Sequence, residues 1–187
     1  MGASATPVVI VTGPPASGKT SLAARLSTDC CIPLITKDGI KEAMLDEAGS
    51  VDREWSQRLG RAAWAVLWHL AEVELAAGRS ALLEGNFSSE HGTVHLARLA
   101  NRLDLATLQI HCAAPIDLLY ARYAERIDGR HPGHADTERL ADIRPLLNPD
   151  LYLLRISGDL IHVETSSFES VDYESIKKAV DLHLATG

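Results

Sequence analysis

The sequence lacks the features that mark membrane, secreted and disulfide-stabilised proteins. No apolar run approaches the about 20 residues that a membrane-spanning helix needs. The first apolar run has no basic segment before it, as a secretory signal would have. The cysteines Cys30, Cys31 and Cys112 are odd in number and have no C-x-x-C spacing, which favours a reduced chain over a disulfide framework. These absences predict a cytoplasmic protein without a membrane partner.

The sequence also has few basic residues for its acidity. Its 187 residues contain 18 Lys and Arg against 25 Asp and Glu, for a net charge of −7, and no block of consecutive basic residues occurs. A broad nucleic-acid footprint needs clustered positive charge, so nucleic acid is not the favoured partner, although a local basic groove stays open. The length and the 46% hydrophobic content predict one globular domain over residues 1–187.

What the sequence does contain is a phosphate-binding loop. Residues 13–20 read G-P-P-A-S-G-K-T, after a β-branched run and before a helical segment, which is the context that this motif requires. Its glycines let backbone N–H groups turn around a phosphate. Lys19 is expected to reach the β- and γ-phosphates and Thr20 to offer its hydroxyl to Mg²⁺. The motif predicts a nucleoside triphosphate bound by Gly13, Pro14, Pro15, Ala16, Ser17, Gly18, Lys19, Thr20 and Ser21.

Short apolar segments alternate with helical ones along the chain. Strands are predicted at residues 8–12, 33–36, 80–84, 107–112 and 160–164, and helices at 19–28, 39–47, 52–77, 89–102, 115–127 and 172–185. This alternation predicts an α/β fold, a doubly wound five-stranded parallel sheet with helices on both faces. Ligands of such sheets bind beyond the carboxyl ends of the strands, so chemistry is expected there.

Acidic residues follow the second and third predicted strands. Asp38 is placed to accept the proton of an acceptor hydroxyl, and Lys41, one turn later, to hold an anionic acceptor. The alternative for Asp38 is a helix N-cap. Glu84 and Asn86 are candidates for ordering Mg²⁺ through water or for hydrogen bonding the acceptor, and the alternative for Glu84 is a solvent-facing charge.

Arg122, Arg126 and Arg130 recur every four positions, which would place them on one face of a continuing helix. A following Asp-Gly pair predicts a break, leaving a lid over about residues 122–137. Lid arginines can neutralise γ-phosphate charge, and His131 is expected to touch phosphate or acceptor. A solvated helix face would show the same arginine spacing.

Two tryptophans, Trp64 and Trp68, share a face of the long third helix. Core packing is the first interpretation. The alternative is a wall of the acceptor site, with Arg58 and Arg61 on the same helix contacting an anionic acceptor.

Six motifs, in this order and spacing, resemble the small P-loop kinases, a group of ATP-dependent kinases related to chloramphenicol phosphotransferase, zeta-toxin kinases and the 5′-kinase domain of phage-type polynucleotide kinase. They are G-P-P-A-S-G-K-T at 13–20, T-K-D-G-I-K at 36–41, L-L-E-G-N-F at 82–87, R-Y-A-E-R at 122–126, R-H-P-G-H at 130–134 and H-V-E-T at 162–165.

The resemblance implies roles for several of these residues. Asp38 matches the general base of the polynucleotide kinases, and Lys41 matches a basic residue that contacts the phosphate region, although arginine is usual there. Glu84 replaces the aspartate found after the third strand. Arg122 and Arg126 match two lid arginines.

The resemblance also implies an adenine site, between Arg122 and the loop that begins at Thr165 and Ser166. The resulting expectation is a kinase that uses ATP and Mg²⁺ to phosphorylate a hydroxyl of a small molecule. A polynucleotide 5′-hydroxyl kinase and a nucleotide-dependent switch or ATPase are the alternatives. The identity of the acceptor and the oligomeric state stay open.

Overall fold

The computed structural model describes residues 5–49, 52–129, 131 and 140–186. Five strands form one parallel sheet in the order β2-β3-β1-β4-β5. The strands are β1 (Thr6–Thr12), β2 (Leu34–Thr36), β3 (Ala81–Gly85), β4 (Leu105–Ala113) and β5 (Asp159–Glu164). The α-helices are α1 (Lys19–Asp29), α2 (Lys37–Ala48), α3 (Arg53–Ala76), α4 (Ser89–Arg102), α5 (Ile116–Glu125) and α6 (Tyr173–Leu184). Short 3₁₀ helices lie at Ile127–Gly129, Arg144–Leu147, Pro149–Tyr152 and Phe168–Ser170.

The central strand β1 explains the two-sided core. Residues 8–11 are fully buried, and Val9 pairs in register with Leu82 of β3 on one side and Leu108 of β4 on the other. A parallel strand with helices on both faces needs apolar side chains in both directions, which a continuous β-branched run supplies. The predicted doubly wound α/β sheet is confirmed.

Alternate side chains of β1 enter two different hydrophobic clusters. Val9 and Val11 pack with residues of α1 and α6, whereas Val8 and Ile10 pack with residues of α3 and α4. The α3 helix contributes Leu59, Ala63, Leu67, Ala71 and Leu75, a spacing of four that keeps one face against the sheet. Because helices cover both faces, the open space lies at the strand ends.

Helix α2 begins two residues earlier than predicted. The side chain of Thr36 caps it, since its Oγ1 accepts a hydrogen bond from the backbone N–H of Gly39 at 3.1 Å. The alternative interpretation of Asp38 as the N-cap is therefore wrong. Asp38 lies in the first turn of the helix, where a carboxylate complements the helix dipole.

Helix α5 ends at Glu125, before the predicted break. Arg126 is its C-terminal cap residue, and its backbone N–H still donates to the carbonyl oxygen of Arg122 at 3.3 Å. Arg130 lies outside the described residues. Within the described part of the chain, no helix combines the length and the apolar character that crossing a membrane would require.

Candidate functional site

The loop between β1 and α1 is a cradle of backbone that two glycines make possible. Gly13 (φ 151°) and Gly18 (φ 77°) adopt conformations that other residues rarely take. A Cβ at Gly13 would collide with the carbonyl oxygen of Cys112, and one at Gly18 with the ring of Phe168. Across the described residues, the buried Oγ of Ser17 finds no hydrogen-bond partner. A buried hydroxyl in that state costs free energy, so the loop fits a ligand that supplies acceptor oxygens.

Two charged side chains are buried at the foot of this loop. The Nζ of Lys19 lies 3.8 Å from Oε1 of Glu84, and these side chains are 7% and 2% exposed. Burial lowers the pKa of Lys19 and raises the pKa of Glu84, and the attraction between the two opposes both shifts. The interpretation of Glu84 as a solvent-facing charge is therefore wrong.

A hydroxyl and a carboxylate meet where a metal would be expected. Thr20 Oγ1 donates a hydrogen bond to Oε1 of Glu84 at 3.2 Å. These are oxygen ligands of the kind that Mg²⁺ takes when phosphates complete its coordination, so the pair fits this ion. No cluster of three or more His, Cys, Asp or Glu side chains suited to a metal occurs within the described ranges.

Asp38 and Lys41 of α2 line the same opening. Asp38 is 31% exposed and its Oδ1 accepts from Nζ of Lys37 at 2.9 Å. Lys41 is buried, and its Nζ donates to Oγ of Ser56 on α3 at 2.7 Å. That bond ties α2 to α3 and fixes where the ammonium group lies.

The predicted residues of the phosphate and acceptor regions converge on one cavity of about 470 Å³, which we call the phosphoryl cavity. The predicted residues that line it are Pro15, Lys19, Thr20, Asp38, Lys41, Glu84, Asn86 and Arg126. Asn86 has a second role, because its Nδ2 donates to the carbonyl oxygen of Gly13 at 2.7 Å and joins the end of β3 to the loop.

The two arginines predicted to act together lie in different places. Arg122 donates to the carbonyl oxygens of Thr165 at 2.8 Å and Ser166 at 2.9 Å, in the loop after β5. Arg126 lines the phosphoryl cavity. This placement puts Arg122 beside the predicted adenine site and not among the groups of the phosphoryl cavity.

Sequence reasoning missed Phe168, which belongs to this second region. Its ring lies 4.5 Å from the guanidinium carbon of Arg122 and packs against Gly18. Phe168, Ser21 and Thr165 line a cavity of about 250 Å³ beside the loop. The sequence signal that could have identified Phe168 was its position, as an aromatic residue, directly after the T-S-S segment. The structure shows it half exposed.

Tyr123, Ile143 and Tyr152 were also missed, and they form a further wall of the phosphoryl cavity. Tyr152 comes from a short 3₁₀ helix, and its carbonyl oxygen accepts from Thr12 Oγ1 at 3.2 Å. Segments of three or four residues have no hydrophobic periodicity, so no sequence signal identifies them.

The structure describes 122–129 and His131 of the predicted lid over residues 122–137, and the other residues of that range lie outside the described part of the chain. The Nε2 of His131 lies 3.0 Å from Oδ1 of Asp46 on α2. His131 therefore contacts a helix that borders the phosphoryl cavity and does not line the cavity itself.

The core packing predicted for the tryptophans is observed, and their alternative role as a wall of the acceptor site stays a prediction. Trp64 and Trp68 pack against the core beside β1 and also line a second cavity of about 420 Å³. Arg61 lines this cavity as well, but Arg58 pairs with Glu54 at 2.7 Å and faces solvent.

The parallel sheet, the loop and the phosphoryl cavity define a P-loop nucleotide-binding domain of the kinase type. Residues 8–149 match the model of the AAA domain family (AAA_33), and the chain belongs to that family. The resemblance to small P-loop kinases is confirmed. No curated protein matches the sequence.

Solved structures show the same architecture. A crystal structure of a "putative kinase" from Chloroflexus aurantiacus J-10-fl is 35% identical, with a TM-score of 0.85 over 97% of this chain and all (100%) of that one. An unliganded sugar kinase from Janibacter sp. HTCC2649 is 15% identical, with a TM-score of 0.57 over 98% of this chain and 96% of that one. The APS kinase of Mycobacterium tuberculosis, in complex with AMPPNP and APS, is 14% identical, with a TM-score of 0.59 over 97% of this chain and 98% of that one. The last two similarities concern the fold alone.

Proposed function

We propose that the protein is a kinase that transfers the γ-phosphoryl group of ATP to a hydroxyl group of a small molecule. The observation that carries this proposal is the convergence of Asp38, Lys19, Glu84 and Arg126 on one cavity at the phosphate-binding loop. Hydrolysis alone would not need a second carboxylate in the cavity besides Glu84, which already pairs with Thr20. The similarity to kinases, one of them solved with a nucleotide analogue, supports the same reaction class.

On the donor side, backbone N–H groups of residues 13–18 and the ammonium group of Lys19 would bind the β- and γ-phosphates. The nucleobase would lie near Phe168 and Arg122, whose guanidinium group is already held by two carbonyl oxygens. We therefore give Arg122 a role in binding the base and reserve charge neutralisation for Arg126. The preference for ATP over GTP rests on the family resemblance.

Thr20 and Glu84 would hold Mg²⁺, Thr20 directly and Glu84 through water. When bound, the ion would neutralise charge on the β- and γ-phosphate oxygens. The present hydrogen bond between Thr20 and Glu84 shows that both oxygens already face one another at 3.2 Å.

On the acceptor side, the Asp38 carboxylate would accept the proton of the attacking hydroxyl group. The hydroxyl oxygen would then form a bond to the γ-phosphorus. The bond from that phosphorus to the β–γ bridging oxygen would break, and its electrons would leave with ADP. Lys41, Arg126 and Lys19 would stabilise the negative charge of the transferring group.

Label transfer from γ-³²P-ATP with Mg²⁺ tests this proposal. The acceptors would include 5′-hydroxyl oligonucleotides, nucleosides, sugars and hydroxylated aromatic compounds. Asp38→Asn should lower transfer by about 10²–10⁴-fold and leave nucleotide affinity nearly unchanged. The matched control is Asp159→Asn, an exposed carboxylate at the opposite end of the sheet, which should transfer like the wild type.

Each alternative has its own outcome in this assay. Salt-sensitive labelling of the oligonucleotides would favour a polynucleotide 5′-hydroxyl kinase. Release of free phosphate alone, at the same rate in Asp38→Asn, would contradict the kinase proposal and favour a nucleotide-dependent switch.

A further inference from the structure

The second cavity lies between α3 and α4, beside the phosphoryl cavity. Its volume of about 420 Å³ is in the range of small-molecule binding sites, about 300–1,000 Å³. We call it the aromatic pocket, after the ring-bearing side chains that line it with Arg61: Trp64, Trp68, Phe87, His91 and His95. Three tryptophans occur in the whole chain, and two of them are here.

The rings of the pocket form a continuous stack. Trp68 lies parallel to His95, with centroids 4.9 Å apart and an interplanar angle of 11°, and nearly parallel to Trp64 at 6.3 Å and 21°. Phe87 is tilted against both tryptophans, at 5.0 Å and 5.4 Å. Phe87 is fully buried, whereas the other three are partly exposed to the pocket. The pocket therefore offers partly exposed aromatic surface to a ligand.

Two glycines permit this arrangement through close packing. A Cβ at Gly92 would lie 2.9 Å from Leu154 and 3.0 Å from Phe87, so α4 approaches the end of β3 closely only without a side chain. A Cβ at Gly85 would lie 2.8 Å from the Trp64 ring, which rests on the β3 backbone.

Trp64 and Asn86 each line both cavities, so the aromatic pocket opens next to the cavity that contains Asp38. A ligand in the pocket can thus present a substituent past Trp64 to the phosphoryl cavity. This adjacency links a binding pocket to the proposed site of phosphoryl transfer.

Two of the polar side chains of the pocket already hydrogen bond within the protein, Asn86 donating to the carbonyl oxygen of Gly13 and Ser88 accepting from the backbone N–H of His91. Among the described residues that line it, none is a carboxylate, and Arg61 is the one permanently charged side chain. Burial, with Arg98 and His91 nearby, lowers the pKa of His95, which keeps its ring neutral at pH 7 and suited to stacking. Recognition of a polyol would need hydrogen-bonding groups for each hydroxyl, and the pocket offers mainly aromatic surface.

We infer that the acceptor is an aromatic alcohol. Its ring packs in the pocket against the partly exposed rings of Trp64 and Trp68, and its hydroxyl-bearing arm extends past Trp64 toward Asp38. Arg61 suits a neutral or anionic ring substituent. The inference rests on the proposed kinase function for the role of the ligand as acceptor, but the binding that it requires is measurable without phosphoryl transfer.

The test is ligand-observed NMR on the full chain with Mg²⁺ and AMPPNP. Two sets of probes would be titrated: the aromatic alcohols 2-phenylethanol, tyrosol and tryptophol, and the polyols ribitol, glucose and gluconate. Trp68→Ala removes a stacking surface. Ala65→Phe fills the pocket from an exposed position, so it keeps the test informative where Trp68→Ala fails to fold. The control is Trp55→Phe, at the start of α3 and outside the pocket.

We expect saturable binding of at least one aromatic alcohol, weakened about tenfold or more by Ala65→Phe and Trp68→Ala and unchanged in Trp55→Phe. Absence of aromatic-alcohol binding, equal affinity in all variants, or polyol binding that Ala65→Phe abolishes would each overturn the inference. Label transfer, measured on the same variants with γ-³²P-ATP in place of AMPPNP, separates the two proposals. Aromatic binding without transfer to any bound alcohol overturns the acceptor role inferred here, and transfer to a polyol supports the kinase and overturns the inference. Release of free phosphate alone, at the same rate in Asp38→Asn, contradicts the kinase itself.

Discussion

The buried pair of Lys19 and Glu84 makes a quantitative prediction about folding stability. At 3.8 Å, with an effective dielectric constant of about 20, the two charges attract each other by about 4 kcal/mol. Removing either charge leaves the other buried without its main compensation, which costs about 3 kcal/mol or more. Glu84→Gln and Lys19→Met should therefore each destabilise the protein strongly.

The double variant should behave differently. With both charges gone, neither desolvation cost remains, so Lys19→Met/Glu84→Gln should unfold within about 2 kcal/mol of the wild type. The double-mutant cycle then gives a coupling energy of about 4 kcal/mol. We expect urea unfolding at pH 7 without nucleotide to report this coupling from the four free energies of unfolding.

The exposed pair of Glu54 and Arg58 is the matched control. Its atoms are closer, at 2.7 Å, but the side chains are 72% and 60% exposed. Solvent screening should limit the coupling between them to about 0.5 kcal/mol. A coupling below about 1 kcal/mol for the buried pair, or equal couplings for the two pairs, would refute the argument that burial determines the strength of this interaction.

Three further predictions concern other parts of the site. Asn86→Ala removes the hydrogen bond to Gly13, so it should lower the free energy of unfolding by about 1–2 kcal/mol and weaken ATP binding by calorimetry; unchanged ATP affinity would contradict the link between β3 and the loop. Arg122→Lys loses the paired contacts with the loop after β5, so KM for ATP should rise severalfold with little change in kcat. A decrease in kcat alone would instead indicate that Arg122 acts in the chemical step. Burial raises the pKa of Cys112 to about 12, so its thiol should stay protonated and unreactive toward Ellman's reagent at pH 8. Exposed Cys31 should react under the same conditions, and fast labelling of Cys112 in the folded protein would contradict its burial.

The parts of the fold that the sequence predicts well are those determined locally. The phosphate-binding loop is one, because Gly13 and Gly18 are required by the backbone itself. The central strand β1 is another, because a run of consecutive apolar residues fits a parallel strand that helices cover on both faces. The placement of Asp38 and Glu84 in one cavity also follows from topology, since the carboxyl ends of neighbouring parallel strands meet at one edge.

The parts that were missed depend on contacts between distant segments. Tyr152 reaches the cavity through a bond to Thr12, 140 residues away in sequence, from a turn without periodicity. Phe168 becomes part of the site because Gly18 leaves room for its ring. The head groups of Arg122 and Arg126 lie in different regions because their long side chains reach different partners, and a regular spacing of arginines contains no information about those partners.

Helix α3 carries residues of the hydrophobic core on one face and residues of the aromatic pocket beside them. The core residues Ala63 and Leu67 alternate along it with Arg61, Ala65 and Trp68, which face the aromatic pocket. A combinatorial library at Arg61 and Ala65 would thus vary the pocket surface while the core residues of α3 stay unchanged, whereas Trp68 also packs against the core. If the proposed function holds, these two positions are a practical starting point for directed evolution of acceptor preference.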